Sequence, residues 1–301
     1  MDNAVLPFPR FAYQGMILNP ADLRFAPHPD IIHPSVLATA GRVEAAPAPY
    51  LMYYAPHDAP GGICLATAAH PEGPWREYEG NPVLAADWDP HHRVSHVSSP
   101  HVLWHESEQK LFLYYHGEND VTRFATSTDG IHFEYGGVAV DTSMLEEGVI
   151  EASYARIFPW QHGYVMFLMG NNQGTRNIYR AESNDGREWR ADPEAFISPP
   201  PGYGQMGPGS LLEWKGVPHL ICFGNLSGGE EFEPVSDLLF YRLTPDLRRA
   251  DYRGVLMPHS AGGPGNLRIN DPCLLEEDGK LYLFVNVGRR LQQKIGLAVC
   301  G

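Results

Sequence analysis

Two carboxylates stand where apolar residues are expected. Glu151 and Asp271 each sit at the start of a short apolar run, in the stretches IEASYARIF and INDPCLL. Two carboxyl groups facing one ligand can divide proton donation and proton removal between them. Histidines form the second group. His91, His92, His96 and His101 crowd one stretch, and His33 and His116 are candidates to join them. An imidazole near neutral pH can act as a base, tune a neighbouring acid or hydrogen-bond a polar ligand. His91 and His92 read as loop residues. No HxH or HExxH spacing occurs, so no metal site and no cofactor is expected. The spacings GxxxxGK[ST] and GxSxG are also missing, which argues against phosphate cradling and a serine nucleophile.

These side chains must be positioned by strands. The chain of 301 residues contains 31 glycines and 27 prolines, spread along its length between short apolar runs. That punctuation belongs to many short strands joined by tight turns. The strongest runs begin at Tyr50, Leu111, Tyr164, His219 and Leu281, between 53 and 62 residues apart. About ten residues upstream of each lies a second run, often carrying a proline. A third run follows downstream, and after a turn a fourth. Asp129-Gly130 and Asp185-Gly186 suit turns that need a positive φ, and each precedes an aromatic residue at the same offset. Five repeats of four strands describe a five-bladed β-propeller rather than a sandwich, which would lack the longer period. The blades are expected at about 30–85, 95–140, 150–195, 206–256 and 268–301. The fifth repeat ends after its third strand. The segment 10–18 (RFAYQGMIL) is expected to supply the missing one and close the ring of a single domain.

In a propeller the first strand of each blade lines the central channel. Aligning the repeats on Pro34, Pro100, Ser153, Pro208 and Pro272 brings His33, Ser99, Ala152, Gly207 and Asp271 to one level. Glu151 then lies one residue earlier and His101 two residues later. The motifs His33-Pro34-Ser35-Val36, Glu151-Ala152-Ser153, HPEGPW at 70–75 and Asn270-Asp271-Pro272 resemble those of the five-bladed propeller glycosidases, in particular glycoside hydrolase family 43. In that family an Asp-Pro opens the first blade and a Glu-Gly-Pro a later one, with the Asp as general base and the Glu as general acid. This chain has His33 in place of the first Asp and Ser153 in place of the later Pro, while its Asp-Pro stands in the fifth repeat.

The resemblance implies a glycoside hydrolase acting on a short oligosaccharide at the channel mouth. Glu151 would be the acid and Asp271 the base, with His33 beside them and inversion at the anomeric carbon. His96, Ser99, His101, Arg156, Asn171 and Arg268 are the expected sugar-binding residues, with Trp88 as a stacking platform at the rim. Trp104, Trp160 and Trp214 read as packing residues. A carboxylate in the loop 228–233 (GGEEFE), Glu230, is a spare candidate. A glycan-binding protein without activity and a glycoside phosphorylase are the competing expectations. The phosphorylase would gather Arg156, Arg268, His33 and His101 around phosphate.

Composition sets the remaining bounds. The chain is 43% hydrophobic and 19% charged, which is enough to bury a large core. With 22 Lys and Arg against 36 Asp and Glu, its net charge of −14 disfavours nucleic acid and anionic membrane as partners. No apolar run reaches the roughly 20 residues that span a bilayer. The four cysteines (Cys64, Cys222, Cys273, Cys300) are scattered and read as reduced core residues. With no basic-then-apolar leader in view, a cytoplasmic protein is expected.

Overall fold

The computed structural model describes residues 8–56, 59, 61–228 and 233–300, and among them it is all-β, with three 3-10 turns and no α-helix. None of the described helical segments is long and apolar enough to cross a membrane. Four-stranded antiparallel sheets follow one another along the chain. The first holds Ile32–Ala38, Tyr50–Ala55, Cys64–Ala68 and Arg76–Glu77; the second holds Ser98–His105, Lys110–His116, Val121–Ser127 and Glu134–Asp141. The third runs from Ser153–Trp160 through Gly163–Asn172 and Thr175–Ser183 to Arg190–Ala191. Beyond these, Tyr203–Trp214, Val217–Leu226, Ser236–Leu243 and Ala250–Met257 form a fourth group. A single bridge, Ser236 to Arg268, joins it to Arg268–Glu277, Lys280–Gly288 and Lys294–Cys300. The strand Ala12–Leu18 pairs antiparallel with Lys294–Cys300 at the outer edge of that last group.

The second strand of each group explains why the sequence shows continuous apolar runs rather than alternation. Successive side chains of a strand point to opposite faces, and here both faces are buried. Leu51 and Tyr53 pack toward Leu111 and Leu113 of the second sheet, whereas Met52 and Tyr54 pack toward Tyr282 and Phe284 of the last. Phe112 and Tyr114 meet Met166 and Leu168, Val165 and Phe167 meet Leu220 and Cys222, and Ile221 and Phe223 meet Leu283 and Val285. Each apolar cluster thus lies between two consecutive groups, and the last returns to the first. Buried tyrosines add polar ties across the same seams. Tyr53 Oη donates to Gly130 O at 2.7 Å and Tyr114 Oη to Gly186 O at 2.6 Å, at the two Asp-Gly turns.

The first strands touch in the same cyclic order. Between them runs a second set of bonds, from positions that correspond in each repeat. Val102 N–H donates to Ser35 Oγ (2.9 Å), His101 Nε2–H to Ile157 O (2.7 Å), Leu274 N–H to Ser210 Oγ (2.8 Å) and Val36 N–H to Cys273 Sγ (3.2 Å). His101 is therefore committed to a seam. Burial, and then the nearby Arg156, push its pKa down to about 3, so the ring is neutral. The short hairpin of Asp87–Trp88 and His92–Arg93 falls between the first two sheets and was not expected from the sequence. It holds Trp88 against His91, His92 and Tyr135. His92 is buried, with Nε2 at 3.0 Å from Tyr115 Oη, so it is a packing residue rather than a loop residue.

Candidate active site

Every first strand carries the same irregularity. Its ladder skips two residues, at 33–34, 99–100, 154–155, 208–209 and 271–272. The first skipped residue has a left-handed backbone in four of the five: His33 (φ 60°), Ser99 (φ 52°), Tyr154 (φ 55°) and Asp271 (φ 49°). The fifth is Pro208, whose ring forbids that region. A left-handed non-glycine residue costs about 1–3 kcal/mol, and a bulge re-aims the side chain it carries. Four such positions at one level turn side chains toward a common centre.

The bulges also correct the register read from the sequence. Tyr154, not Ala152, is the counterpart of His33, Ser99 and Asp271, and Pro208 replaces Gly207. Ser153 had been matched to the prolines, but the residue after the bulge is Ala155, which shares with proline only the absence of a long side chain. Glu151 therefore lies three residues ahead of its bulge, level with Asp30, His96, Gln205 and Arg268.

A cavity of about 730 Å³ opens above this level. Its wall includes His33, His96, Asn171, Arg268 and Asp271 from the expected set, together with His116, Tyr154, Arg176, Asn225, Asn270, Arg290 and Gln293. Asp271 is 1% exposed. Its Oδ2 accepts from Asn286 Nδ2 at 2.6 Å, and its Oδ1 stands 3.1 Å from His33 Nδ1. Burial pushes the carboxyl upward, but His33, Arg156 and Arg268 outweigh it and hold Asp271 below its ordinary range. The His33 ring meets Tyr154 edge-on at 4.7 Å, Tyr154 stacks on His116 at 5.1 Å, and His116 meets His96 at 5.9 Å. A band of rings thus crosses the cavity from Asp271.

Glu151 is buried and held by an arginine. Its two oxygens accept from Arg176 Nε (3.0 Å) and Nη2 (2.8 Å), and it is absent from the cavity wall. Burial raises the Tyr154 phenol, and the charges of Arg176, Asp271, Glu151 and Arg268 all act on it. Ser99, His101 and Arg156 lie below the cavity. Arg156 is 2% exposed and donates to Ser99 Oγ (3.1 Å) and Ala155 O (3.0 Å). Trp88 is likewise not on the wall. Glu230 lies outside the described residues. Among the described residues no group of three or more His, Cys, Asp or Glu is placed to hold a metal ion. The spacing GxGxxG at 202–207 opens the strand Tyr203–Trp214, with no helix behind it, and so is not a dinucleotide cradle.

Tyr154, Arg176, Arg290 and Gln293 join the wall without a signal in the sequence. Arg290 and Gln293 follow the strand Lys280–Gly288 in a turn, where no pattern marks them.

No family model matches the chain, and no curated protein matches it. Solved structures do. A member of glycoside hydrolase family 130, described among mannoside phosphorylases as targeting β-1,2 mannosidic linkages in Candida mannan, superposes with a TM-score of 0.71. It is 14% identical, over 98% of this chain and 95% of that one. A glycosyl hydrolase from Bacteroides ovatus gives 0.67 at 16% identity, over 90% and 83%. A thermostable family 43 glycoside hydrolase gives 0.57 at 16% identity, over 67% and 68%. The fold is that of the propeller glycoside hydrolases.

Proposed function

We propose that this protein is a five-bladed propeller, closed by the pairing of Ala12–Leu18 with the last blade, that cleaves a glycosidic bond in the cavity. The five seams, the cyclic contacts of the first strands and the shared bulge support the blade count. The observation that carries the chemistry is Asp271, a buried carboxylate held in its charged form at the cavity wall and 3.1 Å from His33. In this reading Asp271 removes a proton from the attacking water, and His33 fixes the carboxylate. Glu151, once the substrate draws Arg176 away from it, takes up a proton from solvent and passes it to the leaving oxygen. Arg176 is on the wall, with one third of its side chain exposed. Attack by water from the face opposite the leaving group inverts the anomeric carbon.

The test is a screen of aryl-glycosides and oligosaccharides with and without phosphate, repeated with Asp271→Asn and Glu151→Gln. Turnover without phosphate, lost in both variants, supports hydrolysis, and NMR of the first-formed anomer reads the stereochemistry. Binding of sugar without turnover in the wild type overturns it in favour of a binding protein. Turnover only with phosphate overturns it in favour of phosphorolysis.

A further inference from the structure

We propose that Arg268 and Arg290 form an anion-recognition site on the cavity wall, and that the sugar bound there carries a carboxylate. The proposal rests on the reading that a glycoside occupies the cavity, and it names the class. In a chain where 36 acidic residues face 22 basic ones, arginines find carboxylates easily. Arg176 pairs with Glu151, Arg180 with Asp192, and Arg187 with Glu108. Among the described residues neither Arg268 nor Arg290 forms an ion pair, although both line the cavity. Arg268 is 8% exposed, and its one side-chain bond runs from Nε to Ser236 Oγ at 3.3 Å. Ser236 in turn donates to Asn225 Oδ1 at 2.6 Å, so the guanidinium is oriented from behind. Its terminal nitrogens have no protein acceptor among the described residues. They are not sealed in the core either, which leaves them facing the cavity. Arg290 lies near enough for its charge to oppose that of Arg268. Two like charges on one cavity wall, neither closed by an ion pair among the described residues, are a site for an anion.

Charge selects the kind of anion. Arg176 is matched by Glu151, and the buried Arg156 is matched by Asp271. Asp30, fully buried and off the wall, accepts from the Gln293 backbone N–H at 2.5 Å, and its charge acts on Arg268, which leaves that of Arg290. One positive charge is left over. It fits a carboxylate of charge −1 better than a phosphate carrying about −1.5 to −2, which would also face the ionised Asp271. A uronic acid unit is the sugar of that description.

The test is calorimetry with D-glucuronate, D-galacturonate, D-glucose, D-galactose and inorganic phosphate as separate titrants. At least one uronate is expected to bind ten-fold or more tightly than its neutral parent, with the preference weakening as salt rises. Arg290→Gln, at a half-buried position that tolerates change, is expected to remove that preference. Arg268→Lys is expected to keep part of it and Arg268→Gln to lose it. Equal affinity for a uronate and its parent, no uronate binding, or binding of phosphate alone among the anions each overturn the proposal. Cleavage of a neutral aryl-glycoside with no uronate preference would leave the glycosidase reading standing while removing this one. Uronate binding without any cleavage would do the reverse.

Discussion

Replacing Asp271 with Asn tests both the chemistry and the packing of the channel. The carboxylate is 1% exposed and is the anion that His33, Arg156 and Arg268 share. Arg156, at 2% exposure, forms no ion pair of its own among the described residues, so its buried charge depends on Asp271. Removing one partner of a buried charge group costs about 3–5 kcal/mol, because the other charge remains buried. Asn keeps the shape and can still meet Asn286, which places the loss at the lower end, about 3 kcal/mol. Against a total stability of about 5–15 kcal/mol the variant stays folded. With a urea slope of about 3 kcal/mol per M, the unfolding midpoint drops by about 1 M. The same gap depends on pH. Asp271 has its pKa lowered on folding, so its contribution is full above the unfolded value near 3.9 and is lost as pH falls through the folded value. Wild type and variant are therefore expected to converge below about pH 4. Under conditions where both are folded, turnover is expected to fall about 10²- to 10⁴-fold, the range for losing a general base. A midpoint within 0.2 M of wild type would refute the shared counter-ion. Wild-type turnover would refute the base.

Three further outcomes follow from the same contacts. Ser35→Ala removes the acceptor of the buried Val102 N–H and is expected to cost about 1–3 kcal/mol, whereas Ser210→Ala costs less because Leu274 is half-exposed; the two sit on different seams and should add in a urea titration. The His101 ring is expected to stay neutral from pH 8 to pH 5 by NMR; because folding lowers its pKa, it opposes folding progressively as pH drops below about 6.5, and His101→Gln should flatten that part of the stability profile. Tyr154→Phe keeps the ring contacts with His33 and His116 and loses only the hydroxyl, on which both carboxylates act. It is expected to lower turnover at least ten-fold while leaving the thermal midpoint within about 2 °C; loss of both together would mean that the phenol only supports the fold.

The repeat was legible because its strongest signal has a simple cause. A strand buried on both faces must be apolar at every position, and runs such as 111–115 and 281–285 carry that requirement openly. Outer strands were harder to see. Arg76–Glu77 and Arg190–Ala191 are two residues long and largely solvated, so nothing in their composition separates them from turns. The strand Ala12–Leu18 alternates exposed and half-buried residues, which is the mark of an edge strand and the reason it could be picked out.

The site was legible only as far as its marker was understood. Proline follows the bulge in three repeats, at Pro34, Pro100 and Pro272, and so served to align them. What four of the five repeats share is not the proline but the left-handed residue at the bulge, and that conformation has no single residue type. Asp and His adopt it with enrichment, but a tyrosine there is rare, so nothing in SYARIF announced Tyr154 as the counterpart of Asp271. The two-residue slip had a chemical consequence. It set Glu151 beside the channel floor, where it could face Asp271 directly, whereas in the fold Glu151 is paired with Arg176 and is off the cavity wall. It also exchanged the roles of two sets of residues. Side chains at or ahead of the bulge, His33, His96, Arg268 and Asp271, reach the cavity. Those two places after it, Ser35, His101, Ser210 and Cys273, are committed to the seams. A polar residue at the start of a channel strand therefore carries chemistry or architecture according to its offset from the bulge, and an error of two residues is enough to confuse them.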